Sequence, residues 1–295
     1  MPSLSILPQL IINGLIAGSI YALAASGLSL VYYVVKFINF AQGALITISA
    51  YLFFLFLKVI GLNYFLAVLC TITASILIVL VMNLIVYRPL RKRKATSVVL
   101  MIASLALLIF SSSLILALFG SSTKNINLNF NKTYDFGKFT ITTIQVIIII
   151  SALLLFFAVL LLLKKTKFGK ALRASADNIE VAQVIGINPE KIYSYTFTIA
   201  AVLGSVSGIL IGMEQNLYPR MGVLIIVKGF ISAVVGGINS VHGSIIGGLF
   251  IGLVENFGIW FLPSAYKDVV SFSILLIFLL LRPQGILGVK MRDDK

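Results

Sequence analysis

Four polar side chains stand where a membrane makes polarity expensive. Asn39 and Gln42 open one long apolar run, Glu214 ends another, and Glu255 falls late in a third. An ionisable or amide group kept at membrane depth is costly, and by default it marks a path for a polar solute, an ion or a proton. These four are therefore the candidate transport-pathway residues. A plainer reading stands beside that one. Glu214, followed by Gln215 and Asn216, and Glu255, with Trp260 beyond it, can equally be interfacial residues at helix ends. Asn13 and Asn83 suit interhelical hydrogen bonds, Lys228 has a stem long enough to snorkel, and His242 fits a loop or helix end. No run brings a nucleophile, a base and an orienting group together, so catalysis is not expected. No GxxxxGK[ST] loop is present for ATP. His242 is the single histidine and Cys70 the single cysteine, which leaves no metal-ligand set and no internal disulfide.

A second kind of chemistry is mechanical. Residues 168–189 are polar, yet Ala171, Leu172, Ala174, Ala176, Val181, Ala182, Val184 and Ile185 recur among the charges at helical spacing. Gly186, Asn188 and Pro189 supply the stop. This predicts a short amphipathic helix, or two, lying along the membrane surface. Its small apolar face either packs on its own bundle and lipid headgroups or docks a soluble subunit. Arg173, Asp177 and Glu180 can orient it by charge, the last two sharing a face at a spacing of three. A third feature is glycine. Gly236, Gly237, Gly243 and Gly247, followed by Gly248 and Gly252, predict a crowded helix junction with a tight turn. Ile38–Gly43 echoes Ile238–Gly243, either as a repeat or by chance.

These groups must be positioned by membrane helices. The 295 residues are 60% hydrophobic and 11% charged, with mean hydropathy +1.10. A soluble domain carries about 25% charge, so the bilayer is the solvent. The net charge of +14 gathers in short clusters between apolar runs, as in cytoplasmic membrane loops and unlike a nucleic-acid-binding surface. Apolar runs span roughly 10–32, 38–57, 62–87, 97–119, 142–163, 192–213, 221–237, 241–260 and 269–281, with Arg88-Pro89 ending the third and the polar stretch 120–140 suited to a small hairpin. The first run lacks a basic prefix and a cleavage site, and reads as a retained helix. The expected fold is an all-α polytopic bundle of about nine crossings. The short run 221–237 is the reason to keep about eight as the alternative, since it can be re-entrant. With nine, the clusters Arg88–Lys94, Lys164–Arg173 with Lys191, and Arg282 with Lys290, Arg292 and Lys295 all lie inside. The N-terminus is then outside and the C-terminus inside.

Three separated motifs resemble the permease subunits of branched-chain amino acid ABC importers. The first is Asn13-Gly14-Leu15 through Gly18–Leu23 and Gly27-Leu28, with Ile38-Asn39-Phe40-Ala41-Gln42-Gly43. The second is Ala171-Leu172-Arg173-Ala174 to Gly186-Ile187-Asn188, similar to the family's coupling loop. The third is Gly236-Gly237, Ser240, Gly243 and Gly247-Gly248, with Arg282-Pro283-Gln284-Gly285 closing the chain. Gln42 stands where histidine is frequent. The resemblance covers nearly the whole chain in the family's order.

It implies a single transmembrane permease domain over residues 1–295, with 164–191 as a cytoplasmic coupling loop. The loop would meet the ATPase through Ala171, Arg173, Ala174, Asp177, Ala182 and Gly186. The chain would sit in the cell membrane with a second permease subunit, two cytoplasmic ATPase subunits and an extracytoplasmic solute-binding protein. No cofactor is implied in this chain, and ATP and Mg would belong to the ATPases. The cargo would be branched-chain or related small amino acids. Two alternatives remain: the same architecture carrying urea, short amides or another small polar solute, and an energy-independent channel or ion-coupled carrier. The stretch 168–189 favours an ATP-driven machine, because a stand-alone carrier needs no ATPase socket.

Overall fold

A bilayer interior offers no water to backbone N–H and C=O groups, so apolar runs of this length close their hydrogen bonds as helices. The computed structural model describes residues 6–126, 128, 132–137 and 139–288. Its long elements are α1 (Leu7–Val35), α2 (Ala41–Phe54), α3 (Tyr64–Met82), α4 (Arg88–Lys92), α5 (Ser97–Phe119) and α6 (Thr143–Lys165), then α7 (Lys167–Asp177), α8 (Ile179–Val184), α9 (Pro189–Glu214), α10 (Met221–Gly236), α11 (Val241–Gly258) and α12 (Lys267–Leu281). Among the described residues, 7 helical rods are long and apolar enough to cross a membrane. α10 with 16 residues and α12 with 15 are shorter. The fold is an all-α polytopic bundle, and the hairpin expected in the 120–140 stretch is β1 (Thr133–Asp135) paired antiparallel with β2 (Thr140–Thr142).

The core is built on small residues. α1 and α9 are mostly buried, whereas α3, α5 and α6 turn most of their surface outward. α1 lies antiparallel against α11. A Cβ on Gly14 would meet Leu253 at 2.9 Å, and one on Gly18 would meet Leu249 at 2.9 Å. From the other side, Gly248 abuts the backbone of Ala22 and Gly252 that of Gly18. Lipid tails are as apolar as leucine, so such helices associate through close packing and not through a hydrophobic drive.

Local chemistry explains the helix ends. Pro189 does not merely stop the preceding helix. It occupies the first turn of α9, where its missing N–H costs nothing, and the Asn188 side chain accepts from Lys191 N at 3.3 Å. Thr142 and Gln145 form a capping box that opens α6. Arg88-Pro89 does not end the third run as the sequence reading expects. A π-turn at Asn83–Tyr87 shifts the hydrogen-bond register just before the proline, and the rod continues through α4 to Lys92.

The helix ends gather on two faces. On one, Arg91 pairs with Glu190 at 3.1 Å and Arg88 approaches it at 3.6 Å, joining the end of the third rod to the start of α9. Phe168 packs edge-on against Tyr195 at 5.3 Å. Tyr33, Lys164, Arg173 and His242 line one cleft. Beyond α12, Ile286 N donates to Val235 O at 2.8 Å and Leu287 N to Gly236 O at 2.9 Å, satisfying the last carbonyls of α10. The described members of all three basic clusters therefore share this face. Lys290, Arg292 and Lys295 lie outside the described residues. On the opposite face, Gln9 bonds Thr140 and Lys124 exchanges backbone bonds with Leu217.

Candidate functional site

The surface stretch folds as two helices. α7 is capped by Thr166, whose side chain accepts from Gly169 N at 2.9 Å. It stops at Asn178, whose extended backbone (φ −152°) starts α8 and whose side chain caps Glu180 and Val181. That break places Asp177 at the end of one helix and Glu180 in the next. The shared face expected from their spacing is therefore absent, because the helix carrying it does not run through. Leu172, Ala176 and Ala182 are buried against the bundle, and Ala171 and Ala174 are half-buried. The Arg173 guanidinium donates inward to the Leu163 carbonyl, so it ties α7 to the end of α6. Beside the exposed Glu180 and Gln183, α8 and its C-cap present three apolar side chains outward: Val181 is 59%, Val184 87% and Ile185 67% exposed. Gly186, at φ +88°, makes the turn back toward α9, a conformation that glycine adopts freely.

The glycine junction lies beside this face. Gly236 and Gly243 face each other so closely that a Cβ on either would collide with the other's carbonyl, and one on Gly247 would strike Ser232 O. Gly237 turns at φ +110°, and Ser240 caps α11 through Gly243 N at 3.1 Å.

The four pathway candidates divide into two locations. Asn39 is buried, its side-chain oxygen accepting from Tyr87 OH at 2.8 Å and Ala41 N at 3.2 Å. Gln42 is buried and donates to the Ala200 carbonyl of α9 at 2.7 Å, wedged against Gly27 and Gly204. Gln42 thus ties α2 to α9 beside α1, and Asn39 ties the turn before α2 to the end of the third rod. Glu214 lies near the opposite face, accepts from Gln145 at 3.0 Å, and lines a cavity of about 420 Å³ between α1, α6, α9, α10 and α12.

Glu255 is 1% exposed and bound to Lys228, itself 6% exposed. Lys228 does not snorkel to an interface. Its ammonium contacts Glu255, Ser271 at 3.0 Å and Asp268 at 2.7 Å, while Tyr21 OH donates to Glu255 at 3.1 Å. This cluster joins α1, α10, α11 and α12. Lys228 is a cation inside one apolar run and Glu255 an anion inside another, a signal from which their pairing could have been inferred. Gln145, Ser271 and Asp268 carried no such signal. Tyr218, in the loop before α10, also lines the cavity. Burial and the nearby Asp268 charge raise its hydroxyl pKa, so it stays a neutral donor at physiological pH.

Residues 10–279 match the family described as the permease component of branched-chain amino acid transport systems. The chain belongs to this permease family. The permease is 34% identical over 302 residues to the high-affinity branched-chain amino acid transport system permease protein BraD of Pseudomonas aeruginosa, covering 98% of each chain. It is 33% identical over 294 residues to the corresponding protein LivH of Escherichia coli K12, covering 95% of each. Among solved structures it is similar to PsaBC from Streptococcus pneumoniae in complex with Fab, with TM-score 0.50 and 16% identity over 92% of this chain and 91% of that one. That likeness concerns the fold alone. The family agrees with the resemblance read from the three sequence motifs, and it makes the chain a transporter component, not an enzyme.

Proposed function

We propose that this permease is one membrane subunit of an ABC importer that moves branched-chain or related small amino acids into the cell. The observation that carries the reading is the family match over residues 10–279, and the names of the full-length relatives supply the cargo. In this reading the chain is one transmembrane domain working with a second permease, two cytoplasmic ATPases and an external solute-binding protein. ATP and Mg bind in the ATPases.

The coupling loop, residues 164–191, faces the cytoplasm. The gathering of the described basic residues on that face supports this side, as cytoplasmic loops are rich in Lys and Arg. Nine crossings, with the N-terminus outside and the C-terminus inside, then follow. α10 and α12 cross with their short lengths extended by adjoining loops.

Docking falls to the exposed edge of α8. Val181, Val184 and Ile185 offer an apolar strip that a cytoplasmic groove would cover. Asp177 and Glu180 flank it, and Gly186 lets the loop return sharply to α9. Ala171, Arg173, Ala174 and Ala182 couple by another route: they fasten α7 and α8 to α6 and α9, so a push on the strip moves both spans as a body. Asn39 and Gln42 serve the pathway indirectly, Gln42 by fixing α2 against α9 and Asn39 by fixing the start of α2 to the third rod. Co-purification of the tagged chain with both ATPase subunits tests the reading. A chain that reconstitutes uptake in their absence would overturn it.

A further inference from the structure

The cavity beside Glu214 has the size of a small-molecule site, about 420 Å³ against a usual range of about 300–1,000 Å³. Its lining is mixed. Ile16, Ile20, Ile211 and Ile225 supply apolar surface, and Glu214, Lys228, Lys267 and Asp268 supply charge. The lining thus has two cations and two anions, a balance that suits a ligand bearing both signs and disfavours a simple ion. Lys228 is held from behind by buried Glu255 and Ser271. Its remaining partner, Asp268, has a side chain 61% exposed and stands at the cavity. A solvated carboxylate on a buried ammonium is the partner most cheaply exchanged, since it regains water when it leaves.

We propose that this cavity binds a zwitterionic amino acid with an apolar side chain. The substrate α-carboxylate takes the place of Asp268 on Lys228. Its α-ammonium is received by Glu214 and by the Asp268 carboxylate so freed. The side chain lies against the lining isoleucines. Gln145, donating to Glu214, holds that carboxylate toward the cavity. The site rests on the importer reading above and deepens it, placing a substrate-contacting station within this one subunit near the face opposite the coupling loop.

The test is protection of a cysteine in the cavity. Leu224 lines it and is 52% exposed, so Leu224→Cys in a Cys70→Ser background is reacted with a membrane-impermeant maleimide, using the full chain in the assembled importer. L-leucine should slow labelling. Isoamylamine, which lacks the carboxylate, and 4-methylvalerate, which lacks the ammonium, should need concentrations about tenfold higher or more, the usual effect of losing a charged hydrogen-bond partner. Glu214→Gln should weaken protection by leucine about tenfold while leaving the response to 4-methylvalerate unchanged. No protection by leucine, or equal protection by all three compounds, overturns the site. Leucine uptake by the same assembled importer, reconstituted in lipid vesicles, separates the two failures: uptake without protection rejects the site alone, and absence of both rejects the amino acid importer reading as well.

Discussion

Lys228 of α10 and Glu255 of α11 form an ion pair enclosed within the bundle, with Ser271 of α12 and Tyr21 of α1 completing its hydrogen bonds. Four helices therefore meet at one charge. Such a pair contributes little net stability, because desolvation offsets most of the attraction. Removing one member is different, since the other is left buried and uncompensated.

Lys228→Met is accordingly expected to destabilise the bundle by about 3–5 kcal/mol, seen as a lower unfolding midpoint in detergent. The double variant Lys228→Met with Glu255→Leu should recover most of that loss. A double variant as unstable as the single one would show that Glu255 is held by other contacts.

Gly252 packs directly on Gly18 and the Gly14 carbonyl. Gly252→Val should force α1 and α11 apart, costing about 1–3 kcal/mol or more as overpacking does, with loss of the monodisperse species in size-exclusion chromatography. Gly258, where an added Cβ would meet the Val270 side chain at 3.1 Å, should accept alanine with a smaller change.

The topology predicts opposite labelling. Lys170→Cys, exposed on α7 at the basic face, should react with an impermeant reagent only when the cytoplasmic side is open. Thr123→Cys, exposed on the other, should react from outside in intact cells. Reaction of position 170 from outside would invert the arrangement.

Ala182 and Val184 give separable outcomes. Ala182 is 1% exposed, so a bulky charged residue there should displace α8 from the bundle and lower stability. Val184 touches little of its own chain, and Val184→Asp should change stability by about 0.5 kcal/mol at most while abolishing co-purification of the ATPases. Retained ATPase binding in Val184→Asp would remove this strip from the interface.

How much of this was legible beforehand depended on the reach of each signal. Membrane length and hydropathy are local, so the order of the apolar helices was readable, as was the positive-φ turn at Gly186. The π-turn that carries the third rod past Pro89 was not, because the relief comes from a register shift with no sequence marker of its own. The break at Asn178 was hidden likewise: an N-cap residue in mid-pattern looks like any polar helix residue. Snorkelling is a property of a lone lysine, and Lys228 is not alone: its partners lie 27 and 43 residues away in the chain, beyond any local pattern. Exposure could not be foreseen either. The alanines that suggested a docking groove are mostly turned inward, and Val184 and Ile185 face out.

The most direct test of the central claim is uptake of labelled leucine into proteoliposomes containing this chain, its partner permease and the two ATPases, with the binding protein added outside. The account predicts uptake that requires Mg-ATP on the ATPase side and disappears when the ATPases are omitted. Leucine entry through this chain without the ATPases, running down its gradient, would contradict it.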